Sequence, residues 1–145
     1  MLTQKRSVHK DTFPGCWDIS CAGHCEVNEP ADATVARELE EELGHVLSAE
    51  ERSALRLVCV YPSAKSGEGG WNAYEYIFVL PVDNGEQCFP RGGARNAGEV
   101  DALRWVALDN LRALLAGEQA GAVPRQQVYR DHLFDAIRAS LYVAL

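Results

Sequence analysis

The stretch GHCEVNEPADATVARELEEELG, residues 23–44, holds six glutamates in 22 positions, four of them within residues 38–42. Pro30 suits the first turn of a helix and Gly44 suits the position just past its end, so the spacing predicts a helix over residues 30–43. At about 100° per residue, Glu38, Glu41 and Glu42 share an arc of roughly 100°, and Asp32, Val35, Ala36, Leu39 and Leu43 fill the adjoining arc. One edge of this helix therefore packs in a core while the other carries carboxylates. Arg37 stands four residues before Glu41, beside the acid stripe, where it can orient a carboxylate; Glu40 points away to solvent. Like charges at this spacing repel, so the cluster is either a solvated face or a seat for something cationic. Hard divalent cations bind several oxygens, often shared between carboxylates and substrate phosphates. The residues alone thus point to an acidic metal site for a phosphate compound.

The rest of the chain is that of one globular domain, residues 1–145, with 47% apolar and 24% charged residues. A net charge of -7 argues against a nucleic-acid partner, whose backbone is bound by neutralising phosphates, but not against a small phosphorylated ligand beside a metal. The longest apolar run, residues 76–81, is too short to span a bilayer, and no secretory signal opens the chain, so no membrane partner is expected. The five cysteines are an odd number and include no C-x-x-C pair, which favours reduced thiols in a cytoplasmic protein over zinc.

Strands are expected over residues 1–6, 16–20, 55–61, 72–82 and 103–107. Loops are expected at 7–15, closing in a Pro14-Gly15 turn, at the glycine-rich 63–70, and at 83–98. Ser48 and Glu51 form a capping-box pattern. Asp109 is expected to cap a helix ending at Gly117, and Pro124 to open a last helix with Val128, Leu133, Ile137 and Leu141 on one side. This irregular alternation predicts an α+β fold, a mixed sheet with helices against it.

The acidic segment resembles the signature of the Nudix hydrolases at Gly23, Glu29, Arg37, Glu38, Leu39, Glu41, Glu42 and Gly44; it departs only at His45, where the pattern has an aliphatic residue. The resemblance implies an α/β/α sandwich. It implies Mg²⁺ or Mn²⁺ held by Glu38, Glu41, Glu42 and the carbonyl of Ala22, and an ion pair between Arg37 and Glu29. The implied reaction is hydrolysis of a nucleoside-linked or other organic diphosphate by metal-activated water, with Glu41 or Glu99 as base. A homodimer is an assembly it allows.

The stretch QKRSVHKDTFPGCWDISCAGH resembles the branch containing isopentenyl diphosphate isomerases and their hydrolase relatives, and EVDALRWVAL is similar to that branch's next landmark. Through this resemblance Arg6 and Lys10 would hold the diphosphate. His24, Trp71, Tyr74 and Glu75 would line the substrate pocket, with His24 as wall rather than ligand. Three departures set the chain apart from the isomerases. Ala22 stands at the catalytic cysteine position, with Cys21 one place off and facing the other way. The histidines of the isomerase metal site would precede Met1. The acidic box, eroded in isomerases, is complete. Met1 also falls inside what is usually a strand, so either a displaced start or a sheet shortened at the N-terminus is expected. Isomerase activity and a non-catalytic diphosphate-binding module are the alternatives; hydrolysis ranks first.

Overall fold

The computed structural model describes residues 1–64, 72–83, 85–89 and 98–142. Its elements run β1 (Leu2–Arg6), β2 (Trp17–Ile19), α1 (Ala31–Leu43), α2 (Ala49–Ala54), β3 (Arg56–Ala64), β4 (Asn72–Val79), α3 (Gly85–Cys88), β5 (Val100–Trp105), α4 (Leu108–Leu115) and α5 (Gln127–Tyr142). Among the described residues the strands form two sheets, β2-β1-β5 and β3-β4, and every ladder is antiparallel. A single parallel bridge, Trp17 to Ala122, gives the mixed character.

Alternation along the strands divides the core in two. Leu2, Val100 and Leu103 pack with Leu39 and Leu43 of α1, Leu47 and Phe89. Met1, Trp17 and Ile19 join the other cluster, where Tyr61 and Ile77 meet Leu111, Leu114 and Leu115 of α4 and Tyr129, Leu133, Phe134 and Ile137 of α5. Sheet strands thus lie between α1 on one side and α4 and α5 on the other, the α/β/α layering expected.

Helix α1 starts after Pro30, whose extended backbone (φ -64°, ψ 144°) sits at the cap position, and ends at Gly44 in the left-handed region (φ 64°). Gly44 donates back to the Glu40 carbonyl, satisfying an otherwise orphaned acceptor. Both capping-box bonds between Ser48 and Glu51 form at α2.

Several boundaries differ from the sequence reading. β5 starts at Val100, three residues early, because the β1–β5 ladder continues to the Arg6–Val100 pair through an irregularity at Lys5/Arg6. β3 runs on through Pro62 to Ala64; as an edge strand it can place a proline's missing N–H on its open side. Residues 83–98 contain the short helix α3. Residues 65–71, most of the glycine-rich loop, lie outside the described residues, as do 84 and 90–97.

Asp109 does not cap α4; Ala107 takes that position without a side-chain bond, and Asp109 sits in the first turn. α5 begins at Gln127 rather than Pro124. The preceding residues are held extended, Val123 N–H on the Trp17 carbonyl at 2.9 Å and Arg125 N–H on the Leu115 carbonyl at 2.9 Å. The helix therefore buries Tyr129 in place of Val128, which is 51% exposed. The side chain of Leu141 lies outside the described part.

Arg125 also reaches β2, where Nη2 donates to both oxygens of the buried Asp18 at 2.7 and 2.8 Å. Arg6 stands 3.9 Å from the same carboxylate. Removing one partner of a buried pair strands the other's charge, which typically costs about 3–5 kcal/mol. Because Arg6 remains nearby, Arg125→Met is expected to cost about 3 kcal/mol in urea unfolding. A variant within about 0.5 kcal/mol of wild type would show the pair to be dispensable.

Candidate metal and diphosphate site

The loop entering α1 is held by one guanidinium. Arg37 Nε donates to Glu29 at 3.0 Å and Nη2 to the other Glu29 oxygen at 3.1 Å. Nη1 reaches Glu38 at 2.8 Å and Glu41 at 3.1 Å, and Nη2 also donates to the His24 carbonyl at 2.9 Å. Glu29 in turn accepts from Glu26 N–H at 3.0 Å and from the buried Thr34 hydroxyl at 2.8 Å. The Arg37 bonds, helped by those from Glu26 and Thr34, hold the Glu29 carboxyl at about 2, well below 4.5. The same ion pairs push the Arg37 guanidinium upward.

Glu38 turns over the start of the loop. A Cβ on Gly23 would fall within 1.9 Å of the Glu38 carboxyl group, so only glycine leaves room for it there. Glu42 is buried, 6% exposed, and its Oε2 accepts from Gln4 Nε2 at 3.1 Å and from Ala22 N–H at 3.3 Å. Burial pushes the Glu42 carboxyl up, the Glu38 charge adds to this, and the bonds from Cys21, Gln4 and Ala22 oppose it. Glu41 is the most open, its side chain 55% exposed.

The carboxylates of Glu38 and Glu42 therefore both approach the segment 22–23, Glu42 at the Ala22 N–H and Glu38 at Gly23. This donor set, oxygen only and rich in negative charge, fits a hard divalent cation. Among the described residues no group of three His, Cys, Asp or Glu side chains is arranged to hold an ion as it stands. Glu38 and Glu41 are spent instead on Arg37.

The other expected site residues are distributed. Lys10 and Glu99 form an ion pair with each other. Their approach follows from the loop after β1, where Ser7 N–H bonds to the Glu99 carbonyl at 2.9 Å and Val8 N–H to Asp101 at 3.2 Å. Arg6 is turned to Thr12, donating to its carbonyl at 3.0 Å and its hydroxyl at 3.1 Å. His24 is exposed and meets the acidic network through its backbone. Tyr74 is 69% exposed on β4, and the charge of its neighbour Glu75 acts on Arg125 and Tyr129. Trp71 lies outside the described residues.

Gln4, Thr34 and the Asp18–Arg125 pair went unread in the sequence. Gln4 could have been found: it shares the face of Leu2, the inward face of β1, and a polar side chain there demands a partner. Cys21 does face opposite to exposed Ala22, but that direction leads toward the acidic helix, where its thiol bonds to Glu42. Burial and the neighbouring Glu42 push the Cys21 thiol far up, which keeps it protonated. All five cysteines are unpaired. Among the described residues no helix is long and apolar enough to cross a membrane.

The sequence profile of the NUDIX domain matches residues 1–126. The chain belongs to the Nudix family. It is similar to Nudix hydrolase 3 of Arabidopsis thaliana, 32% identical over 95% of this chain but only 18% of that protein. It is also similar to an isopentenyl-diphosphate Delta-isomerase of Mycolicibacterium vanbaalenii, 46% identical over 94% of this chain and 69% of that one. A similar isomerase of Nocardia farcinica is 30% identical, and the match spans 65% of its length. A crystal structure from Deinococcus radiodurans shares the Nudix chain's fold with a TM-score of 0.52 at 18% identity, covering 91% of this chain and 72% of that one.

The depressed Glu29 carboxyl gives this Nudix loop a pH signature. A group lowered in the folded state contributes fully above its ordinary value, here 4.5, and loses that contribution as pH falls toward about 2. The stability gap between wild type and Glu29→Gln is therefore expected to be widest near neutrality and to close through this window. Urea midpoints at pH 7, 5, 4 and 3 check it; a gap that stays constant contradicts the assignment.

Proposed function

We propose that this domain hydrolyses the diphosphate bond of a nucleoside-linked or other organic diphosphate, using Mg²⁺ or Mn²⁺. The observation that carries the reading is the approach of the Glu42 carboxylate to the Ala22 N–H and of the Glu38 carboxylate to Gly23, within a complete acidic box. Glu38, Glu41, Glu42 and the Ala22 carbonyl would hold the metal. When bound, such an ion polarises phosphoryl oxygens and lowers the pKa of an attacking water.

The chain's own residues supply the rest. Arg37 sets the carboxylates of Glu38 and Glu41 in place and releases one or both when a cation arrives. Glu41, on the same helix and open to solvent, takes the proton from the attacking water; Glu99, which faces Lys10, is the second candidate. Arg6 and Lys10 neutralise the diphosphate, Lys10 exchanging Glu99 for substrate oxygen. His24, Trp71, Tyr74 and Glu75 border the group attached to the diphosphate. Free thiols at all five cysteine positions accord with a cytoplasmic setting.

Glu42→Gln is expected to keep the fold and to lose ~10²-fold or more in the rate of phosphate release from diphosphate substrates in Mg²⁺. Equal turnover by wild type in metal-free buffer would refute the metal assignment.

Isomerisation of isopentenyl diphosphate is the second reading, favoured by the 46% identity to a protein bearing that name. Against it stands Ala22 at the position where a thiol is expected, and a Cys21 thiol committed to Glu42. Incubation with isopentenyl diphosphate and Mg²⁺, followed by proton NMR of the methyl region, is expected to show no dimethylallyl diphosphate. Its appearance with wild type but not with Cys21→Ser would reverse the choice.

A further inference from the structure

Glu42 is the most buried member of the acidic box, yet nothing on its own helix holds its carboxylate. The groups that do come from the two neighbouring segments. Gln4, on β1, is 2% exposed and donates from Nε2 at 3.1 Å; Ala22, after β2, donates its N–H at 3.3 Å. Gln4 Oε1 is buried and has no hydrogen-bond partner among the described residues. With Nε2 turned to Glu42, the amide donates to the carboxylate and Oε1 is left as the free acceptor of the same side chain. A buried amide oxygen of this kind is available to a hydrogen-bond donor that enters the site.

We infer that Gln4 is a positioning residue of the metal site, fixing the Glu42 carboxylate through Nε2 and offering Oε1 to a water carried in by the divalent cation. This rests on the metal-dependent reading above and deepens it. Gln4 sits mid-strand in β1, paired with Asp18 on one side and Leu103 on the other, so its backbone is fixed by two ladders. A side chain held there can aim a carboxylate on α1 independently of how α1 itself moves. Partners of this kind behind a metal ligand commonly change metal affinity 10–100-fold.

Gln4→Met keeps length and volume while removing both the donor and the acceptor. Mn²⁺ binding to purified protein, followed by the electron paramagnetic resonance of free Mn²⁺, is expected to weaken about tenfold or more in this variant. The metal-free melting temperature should fall little, because the variant also removes an unpaired buried acceptor. Gln4→Asn, which keeps the amide but falls short of Glu42, should bind Mn²⁺ several-fold more weakly. Gln4→Met binding within twofold of wild type would overturn the inference. If Gln4→Met does not fold, Gln4→Asn decides it, since binding by that variant within twofold of wild type would overturn the inference. Wild type that binds no Mn²⁺ would instead sink the metal-dependent reading itself.

Discussion

The Arg37 guanidinium is the contact on which the acidic segment depends. Its five hydrogen bonds tie the loop before α1 to the helix that follows, and three of the carboxylates it could face are drawn to one side chain. A planar, permanently charged fork can satisfy several oxygens at fixed angles, which a lysine could not. Without it, Glu29, Glu38 and Glu41 would repel one another across a loop that has no regular backbone pairing of its own. The segment thus carries its own counter-charge, and a metal ion would exchange places with part of it rather than enter an unprotected acidic hollow.

Burial then divides the acids by role. Glu42 lies inside, raised by desolvation and by the nearby Glu38 charge, and is kept in place by donors from β1 and the segment after β2. Glu38 occupies the space over Gly23, where any side chain would collide with it. Glu41 stays near water. Three glutamates within five positions of one helix therefore see three different dielectric surroundings, and a helix edge that looks uniform in projection is graded from interior to solvent.

This grading was only half legible in the sequence. The limits of α1 were readable because Pro30 and Gly44 act through local backbone geometry, and the capping box at Ser48 for the same reason. The ion pair between Arg37 and Glu29 followed from the family's spacing. The start of α5 was not readable, because residues 122–125 are held extended by bonds to β2 and α4, contacts distant in sequence. Gln4 escaped for a similar reason: alternation places it inward, but its partner lies 38 residues away. Lys10 and Glu99, read separately as a phosphate binder and a base, meet because β1 and β5 are neighbours, a pairing that local patterns do not encode.

The separation of the strands into two sheets has a consequence for how this chain loosens. Among the described residues β3 and β4 pair only with each other, and their outer side leaves Val60, Tyr74 and Tyr76 at 45%, 69% and 47% exposure. A two-stranded ribbon is marginal in water by itself and depends on what lies beneath it. Here that support is Tyr61 and Ile77 against α4 and α5. The three-stranded sheet, clamped by α1 and by the chain's first residue on Val106, has no such dependence. Amide protons of the ribbon should therefore exchange with solvent through partial openings that leave β1, β5 and the acidic helix intact, making the ribbon a separate foldon within one domain.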